Sequence, residues 1–214
     1  MTPEENLRLE YLSRYERAAY EQGANYIAGI DEAGRGPWAG PVAAGAVILP
    51  PGYKLEAIND SKQLSEKKRL ELTAKIKAEA VDWAVALVSP QYIDRYNILE
   101  ATKQAMKLAI QALKPQPDFL LIDAVKLSDI CIERKSLVKG DANSISIAAA
   151  SILAKVTRDE AMKNYEQIYA GYGFAQHKGY GTKQHQNRLS TLGVCPIHRK
   201  SFRPVQMRLE QLNN

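Results

Sequence analysis

The sequence contains little cysteine, few aromatic side chains and no long apolar run. Of its 214 residues only Cys131 and Cys195 are cysteines, so a disulfide-stapled scaffold is excluded and reduced thiols in a cytoplasmic setting are expected. No stretch approaches the ~18 consecutive apolar residues of a membrane span. The acidic start, MTPEENLRLEYL, is unlike a secretory signal peptide. These absences predict a cytoplasmic globular protein with no membrane partner.

Several familiar catalytic motifs are also absent. The chain has no G-x-x-x-x-G-K-[ST] phosphate loop and no G-x-S-x-G serine context, and its three histidines lack the spacing of a zinc site. Residues 34–39, GRGPWA, formally match a dinucleotide fingerprint. Such a fingerprint must open a helix, which Pro37, Gly40 and Pro41 prevent.

Positive charge is concentrated near the C-terminus. The formal net charge is +5, and residues 155–214 hold ten Lys/Arg against four Asp/Glu, which leaves a net charge of −1 for residues 1–154. A phosphate-rich partner explains such an excess, but so does solubility, and the charge alone leaves both readings open. Tyrosines 169, 172 and 180 lie among glycines and lysines, which suits nucleic-acid stacking but is equally typical of an ordinary glycine-rich loop.

The apolar pattern predicts strands that alternate with helices, and therefore an α/β fold with a mixed sheet. The expected strands are 26–31, 42–50, 83–88, 119–123 and 131–138. The expected helices are residues 1–20, a segment capped by Ser65, a segment that starts at the capping pair Asn97 and Glu100, residues 144–162, a short helix from Lys183 and a final amphipathic stretch. We predict an N-terminal helical extension over 1–22 and one catalytic domain over 23–214.

Acidic residues follow two of the predicted strands. Asp31, with Glu32 beside it, ends the first apolar run, and Asp123 ends the fourth. If these strands are neighbours, the carboxylates meet at one sheet edge and repel one another unless cations lie between them. Asp141, at a Gly-Asp turn before the alanine-rich helix, is a candidate fourth ligand. Carboxylate oxygens suit Mg²⁺ or Mn²⁺ rather than zinc.

The adjacency of Asp31 and Glu32 raises a geometric difficulty. Successive strand residues point to opposite faces of a sheet, so the two carboxylates can share a metal only if the chain bends between them. Gly34 and Gly36 make a bend there plausible.

Six segments together resemble one known family. They are GIDEAGRGPWAGPVAAGAVIL, NDSKQLSEKKR, LLIDA, KGDANSISIAAASILAKVTRD, YGFAQHKGYGT and HRKSFRPV. In this order, over about residues 26–205, the chain is similar to bacterial ribonuclease HII, a type 2 ribonuclease H. The resemblance implies an α/β RNase H-like fold, with a mixed central sheet flanked by helices and a C-terminal helical region. It also implies a monomeric cytoplasmic endonuclease that acts in ribonucleotide excision repair.

The implied substrates are RNA–DNA hybrids and DNA duplexes with embedded single ribonucleotides, cut to leave 5′-phosphate and 3′-hydroxyl ends. The catalytic, metal-binding residues that the resemblance implies are Asp31, Glu32, Asp123 and Asp141. The implied substrate-binding residues are Gly34, Arg35, Gly36, Ser61, Lys62 and Tyr180. Two Mn²⁺ or Mg²⁺ ions about 3.5–4 Å apart would activate the attacking water and stabilise the leaving 3′ oxygen.

The basic C-terminal part is expected to hold phosphates, with Lys178, Lys183 and Arg199 among the contacts. Two alternatives remain. Another RNase H-like nuclease or resolvase would use the same carboxylates on a different substrate. A non-catalytic nucleic-acid-binding domain is disfavoured, because a phosphate binder gains nothing from four acids facing the backbone.

Overall fold

The computed structural model describes residues 1–213, and its centre is one five-stranded mixed sheet. The strands are β1 (Ile27–Ala33), β2 (Val42–Ile48), β3 (Asp82–Val88), β4 (Phe119–Asp123) and β5 (Glu133–Leu137). Their order is β3-β2-β1-β4-β5, with β2 antiparallel to both β1 and β3, and with β4 parallel to β1 and β5 parallel to β4. The predicted mixed α/β sheet is confirmed.

Helices cover the sheet and form the C-terminal region. They are α1 (Pro3–Leu12), α2 (Arg14–Glu21), α3 (Glu66–Glu79), α4 (Pro90–Ala112), α5 (Ile145–Ile168), α6 (Phe174–His177), α7 (Lys183–Leu192) and α8 (Arg203–Asn213). Helix α4 packs on β1, β2 and β3, and α5 packs mainly on β1 and β2. No helix within residues 1–213 is both long and apolar enough to cross a bilayer.

The N-terminal extension is two helices rather than the predicted single helix. The break falls at Ser13, whose hydroxyl donates to the Leu9 carbonyl at 2.9 Å. Leu9 and Leu12 are buried in the core cluster beneath α3 and α5. Arg14 donates to the Asn143 side chain at 2.8 Å, so this extension also supports the start of α5.

Helix α4 begins seven residues before the predicted cap. Ser89 caps its first turn, and the chain then kinks at Asn97, which has a φ of 68°. The Asn97 side chain accepts hydrogen bonds from the amides of Leu99 and Glu100 at 2.9 and 3.1 Å. The predicted cap at Asn97 is confirmed, but it restarts a helix instead of opening one.

Glycines let α5 lie directly on the sheet. A Cβ on Gly29 of β1 would stand 2.0 Å from the carbonyl carbon of Ser146, and one on Gly45 of β2 would stand 2.4 Å from the carbonyl oxygen of Ala150. Both partners are helix backbone, which cannot move aside. This contact brings the N-terminal half of α5 against the acidic ends of β1 and β4.

The change Gly29→Ala is expected to destabilise the fold by about 3 kcal/mol, the upper end of ordinary overpacking costs. Urea denaturation would measure the loss. Gly36→Ala is the matched control, because the nearest atom to its Cβ is 4.0 Å away. A Gly29→Ala protein as stable as this control would contradict the close α5 contact.

Candidate active site

The acids that the sequence singled out gather at one edge of the sheet. Ile30 of β1 is in parallel register with Ile122 of β4, so the next residues, Asp31 and Asp123, leave neighbouring strands side by side. The amide of Gly140 donates to Asp123 Oδ1 at 2.6 Å. This bond brings the short 3₁₀ turn Gly140–Ala142, and with it Asp141, to the same edge.

Burial and mutual repulsion perturb these carboxyl groups. Asp31 is 3% exposed, and its burial, followed by the charges of Glu32 and Asp123, raises its pKa well above the ordinary range. Burial also raises the pKa of Glu32, although nearby Arg35 opposes this shift. Burial and the charges of Asp60 and Asp123 raise the pKa of Asp141. The cluster is therefore an unfavourable concentration of negative charge that a cation would relieve.

The donors fit a hard divalent cation. They are carboxylate oxygens, and Glu32 Oε2 is buried with no hydrogen-bond partner among the described residues. Within residues 1–213, no three histidine, cysteine, aspartate or glutamate side chains are close enough together to hold one ion. Gathering the carboxylates around a cation therefore requires some of these side chains to rotate.

The chain does not bend between Asp31 and Glu32. Strand β1 continues through both residues to Ala33, and the chain turns only at Gly34, where φ is +92°. The Asp31 carboxylate instead accepts a hydrogen bond from the Glu32 amide at 2.7 Å. Pairing with β2, which continues through Ala33, keeps the strand extended past the acids.

Ser61 lies behind the cluster, with its hydroxyl directed into the protein. It is 3% exposed and hydrogen-bonds the Ser151 hydroxyl at 2.9 Å. The nearby Ser151 hydroxyl in turn favours the charged form of Asp31, which partly offsets the raised pKa of that carboxyl group. Sequence reasoning missed Ser151, although a serine in an otherwise apolar, alanine-rich helix face is a recognisable signal.

Lys62 stands at the open rim of the cluster. Its side chain is 80% exposed, and its Nζ lies 3.8 Å from Asp141 Oδ2. Desolvation acts to lower the pKa of Lys62, but the surrounding carboxylates, Asp60 and Asp141 foremost, raise it overall. The ammonium group is thus charged and free to reach a phosphate beside the acids.

The Gly34–Gly36 segment and Tyr180 form a second rim. A Cβ on Gly34 would stand 1.9 Å from Arg158 Nε, whereas one on Gly36 would meet only Tyr180 Cε1, at 4.0 Å. The Tyr180 ring is 43% exposed. Arg35 pairs with Glu32 at 3.3 Å, which links this rim to the acids.

The structure corrects the predicted phosphate contacts. Arg199 is fully buried, and Lys178 is also buried with its ammonium group donating to the Ala175 carbonyl. Neither side chain can reach a phosphate, whereas Lys183 is exposed at the start of α7.

Tyr172 is buried and stacks on Phe174, with ring centroids 5.1 Å apart. Among the three interleaved tyrosines, only Tyr180 therefore offers an exposed ring at the rim.

Solved structures identify the class of this fold. The chain matches the crystal structure of ribonuclease H2 from Pyrococcus horikoshii OT3 with a TM-score of 0.74 and 26% identity, over 89% of this chain and 100% of that one. It matches Bst-RNase HIII in complex with Mn²⁺ with a TM-score of 0.68 and 17% identity, over 91% of this chain and 72% of that one. The fold is the RNase H-like fold of these nucleases.

Sequence comparison gives the family. The model of the Ribonuclease HII family matches residues 28–205. The chain is 57% identical over 199 residues to ribonuclease HII of Syntrophomonas wolfei subsp. wolfei, a match that covers 93% of this chain and 78% of that protein. The chain belongs to the ribonuclease HII family, and it is a hydrolase, a metal-dependent endoribonuclease.

Proposed function

We propose that this protein cuts DNA duplexes at single embedded ribonucleotides, and also the RNA strand of RNA–DNA hybrids, leaving 5′-phosphate and 3′-hydroxyl ends. The observation that carries the proposal is that the acidic cluster and the exposed surface of Gly36 and Tyr180 lie next to each other at one edge of the sheet. Buried acids lie on one side, and an exposed Gly36 with Tyr180 lies on the other, joined by the Arg35–Glu32 pair. Membership of the family supports the RNase H activity itself.

The acids Asp31, Glu32, Asp123 and Asp141 would hold two divalent cations, Mn²⁺ or Mg²⁺. Bound there, the cations would lower the pKa of the attacking water and stabilise charge on the leaving oxygen. The surrounding residues fix the ligands: Ser151 and the Glu32 amide orient Asp31, and the Gly140 amide orients Asp123. Lys62 is placed to hold the phosphate next to the bond that breaks.

Recognition of RNA would come from the 2′-hydroxyl, the group that separates RNA from DNA. The peptides of Gly34–Gly36 can approach it closely because Gly36 presents no side chain. Nothing in the protein itself requires glycine at 36, since its φ is not positive and a Cβ would fit. The absence of a side chain at this exposed position is therefore best explained by the approach of a substrate.

Tyr180→Ala is expected to lower kcat/KM on a single-ribonucleotide duplex about 10-fold, the size of one lost stacking contact. The ring would stack on the sugar just beyond the ribonucleotide. Tyr180→Phe keeps the ring and should retain most activity, and metal affinity should be unchanged in both variants. If Tyr180→Ala cuts as well as wild type, the proposed role of this ring is wrong.

A substrate panel tests the proposed specificity. We expect cleavage of an RNA–DNA hybrid and of a duplex with one ribonucleotide, and no cleavage of an all-DNA duplex or four-way junction. End analysis should show 5′-phosphate and 3′-hydroxyl groups. Cleavage of the all-DNA junction would favour a resolvase of the same fold.

We further propose that the enzyme acts as a cytoplasmic monomer in the removal of ribonucleotides from DNA. Helices α4 and α5 cover the two faces of β1 and β2, so the centre of the sheet is already covered within one chain. Light scattering at working concentrations should give the mass of one chain.

A further inference from the structure

A buried arginine supports the Gly34–Gly36 segment from below. Arg199 is fully buried, and its guanidinium group donates only to backbone carbonyls. The bonds run to Arg35 at 2.8 Å, Gly34 at 2.6 Å, Gly40 at 3.0 Å and Pro41 at 3.1 Å. No carboxylate in residues 1–213 lies within 4.0 Å of this guanidinium group. The charge of Arg199 is thus balanced mainly by peptide dipoles, together with the face of the Phe202 ring, whose centroid lies 5.1 Å from the Arg199 Cζ.

This arrangement carries a cost in the folded state. Removal of a guanidinium group from water is unfavourable, and burial together with the nearby Arg158 charge lowers the pKa of Arg199 to about 9. The group stays protonated at neutral pH. Charge-assisted hydrogen bonds to four carbonyls offset the cost, because such bonds are roughly twice as strong as neutral ones.

The bonds to Gly34 and Arg35 determine where the next two amides point. In a trans peptide the C=O and N–H groups lie on opposite sides of the chain, and Lys114–Pro115 is the cis bond in the described chain. Because the carbonyls of Gly34 and Arg35 face Arg199, the N–H groups of Arg35 and Gly36 face away from it. Gly36 itself is exposed, and the nearest atom to a Cβ built on it would be Tyr180 Cε1, at 4.0 Å.

Arg158 plays a different part in the same region. It donates to the carbonyls of Pro41 at 2.9 Å, Ala39 at 3.2 Å and Lys178 at 3.0 Å, so it joins the base of the loop to the Tyr180 segment. It does not bond the carbonyls of Gly34 or Arg35. Among residues 1–213, Arg199 alone donates side-chain hydrogen bonds to the carbonyls of both Gly34 and Arg35.

We propose that Arg199 is a positioning residue for RNA recognition, which fixes the amides of Arg35 and Gly36 in the orientation that donates to a 2′-hydroxyl group. The inference rests on the proposed function of the Gly34–Gly36 segment. The positive charge below the peptides also polarises them, which strengthens their outward N–H groups as donors. Arg199 itself touches no substrate.

The test uses Arg199→Lys and Arg199→Gln, measured on two duplexes. Neither side chain reproduces the planar fork that bonds two neighbouring carbonyls. We expect kcat/KM on the single-ribonucleotide duplex to fall about 10- to 30-fold, the size of two neutral hydrogen bonds, while affinity for an all-DNA duplex stays within about twofold. Arg134→Gln is the control, since Arg134 also donates to two carbonyls, those of Ile130 and Ile132, at the far edge of the sheet. It should match wild type in both assays.

The outcomes separate positioning from simple support of the fold. A parallel loss of ribonucleotide cleavage and all-DNA affinity would mean that Arg199 only stabilises the loop, and unchanged cleavage would mean that it does not orient the amides. Either result overturns the proposal. Gly36→Ala is measured alongside: if it loses selectivity while both Arg199 variants keep it, only the positioning role fails. If Gly36→Ala also keeps full selectivity, the proposed reading of the 2′-hydroxyl fails with it.

Discussion

Asp123→Asn and Asp31→Asn are each expected to lower cleavage of a single-ribonucleotide duplex by at least about 100-fold. Loss of an outer-shell partner at a metal site already costs 10–100-fold, and loss of a ligand should cost more. Asparagine keeps the shape but removes the charge that holds a cation, so affinity for Mn²⁺ should fall together with turnover. Single-turnover cleavage and calorimetric Mn²⁺ titration measure the two losses. Asp129→Asn, at an exposed ion pair with Lys107, should change neither.

Although Asp31→Asn should abolish most activity, it should not lower the stability of the folded protein. The pKa of Asp31 is raised in the fold, so this carboxyl group stabilises the protein only at low pH, and that contribution is lost as pH rises through its folded pKa. Asparagine is neutral at every pH. In metal-free buffer at neutral pH, Asp31→Asn should therefore melt at the same temperature as wild type or higher. A variant that is inactive because it is unfolded, or one that keeps near-normal cleavage, would contradict the metal-site assignment.

Gly36→Ala is expected to lower kcat/KM on a single-ribonucleotide duplex about 10- to 30-fold, because one methyl group at the rim would hold the minor groove away from two donor amides. Its folding stability should be close to wild type, since the new Cβ meets only Tyr180 at 4.0 Å. Affinity for an all-DNA duplex should be nearly unchanged. Cleavage kinetics, duplex binding and urea denaturation give the three values.

Gly34→Ala is the informative contrast. Its Cβ would clash with Arg158, and its φ of +92° disfavours any side chain, so this variant should lose stability as well as activity. If Gly36→Ala lost as much stability as Gly34→Ala, the loss of activity at position 36 would reflect folding rather than substrate approach. Wild-type cleavage by Gly36→Ala would show that the amides do not read the 2′-hydroxyl.

The main features of the fold follow from local signals in the sequence. Short apolar runs that end in Asp31 and Asp123 predicted two buried strands, and the structure shows that these strands, β1 and β4, are neighbours with both acids at one edge. Asn97 was predicted to cap a helix, and it does so within a kinked α4. The turns of α4 before Asn97 were missed because their polar and charged residues leave a weak apolar stripe.

The surroundings of the site were harder to predict because they depend on contacts between distant segments. A basic residue near the C-terminus normally points to solvent, yet Arg199 is buried because the loop at Gly34–Pro41 presents several unpaired carbonyls to it. Ser61 was expected to contact substrate, but its hydroxyl faces Ser151. Sequence patterns show that such residues are polar, while only the packed chain shows which way they face.

The acidic edge is proposed to bind divalent cations and to cleave beside a ribonucleotide. The most direct test is cleavage of an end-labelled DNA duplex with one embedded ribonucleotide, incubated with chelator, Mg²⁺ or Mn²⁺. We predict a single cut at the ribonucleotide that requires Mg²⁺ or Mn²⁺ and is absent with chelator and with the matching all-DNA duplex. Cleavage in chelator, or equal cleavage of the all-DNA duplex, would contradict it.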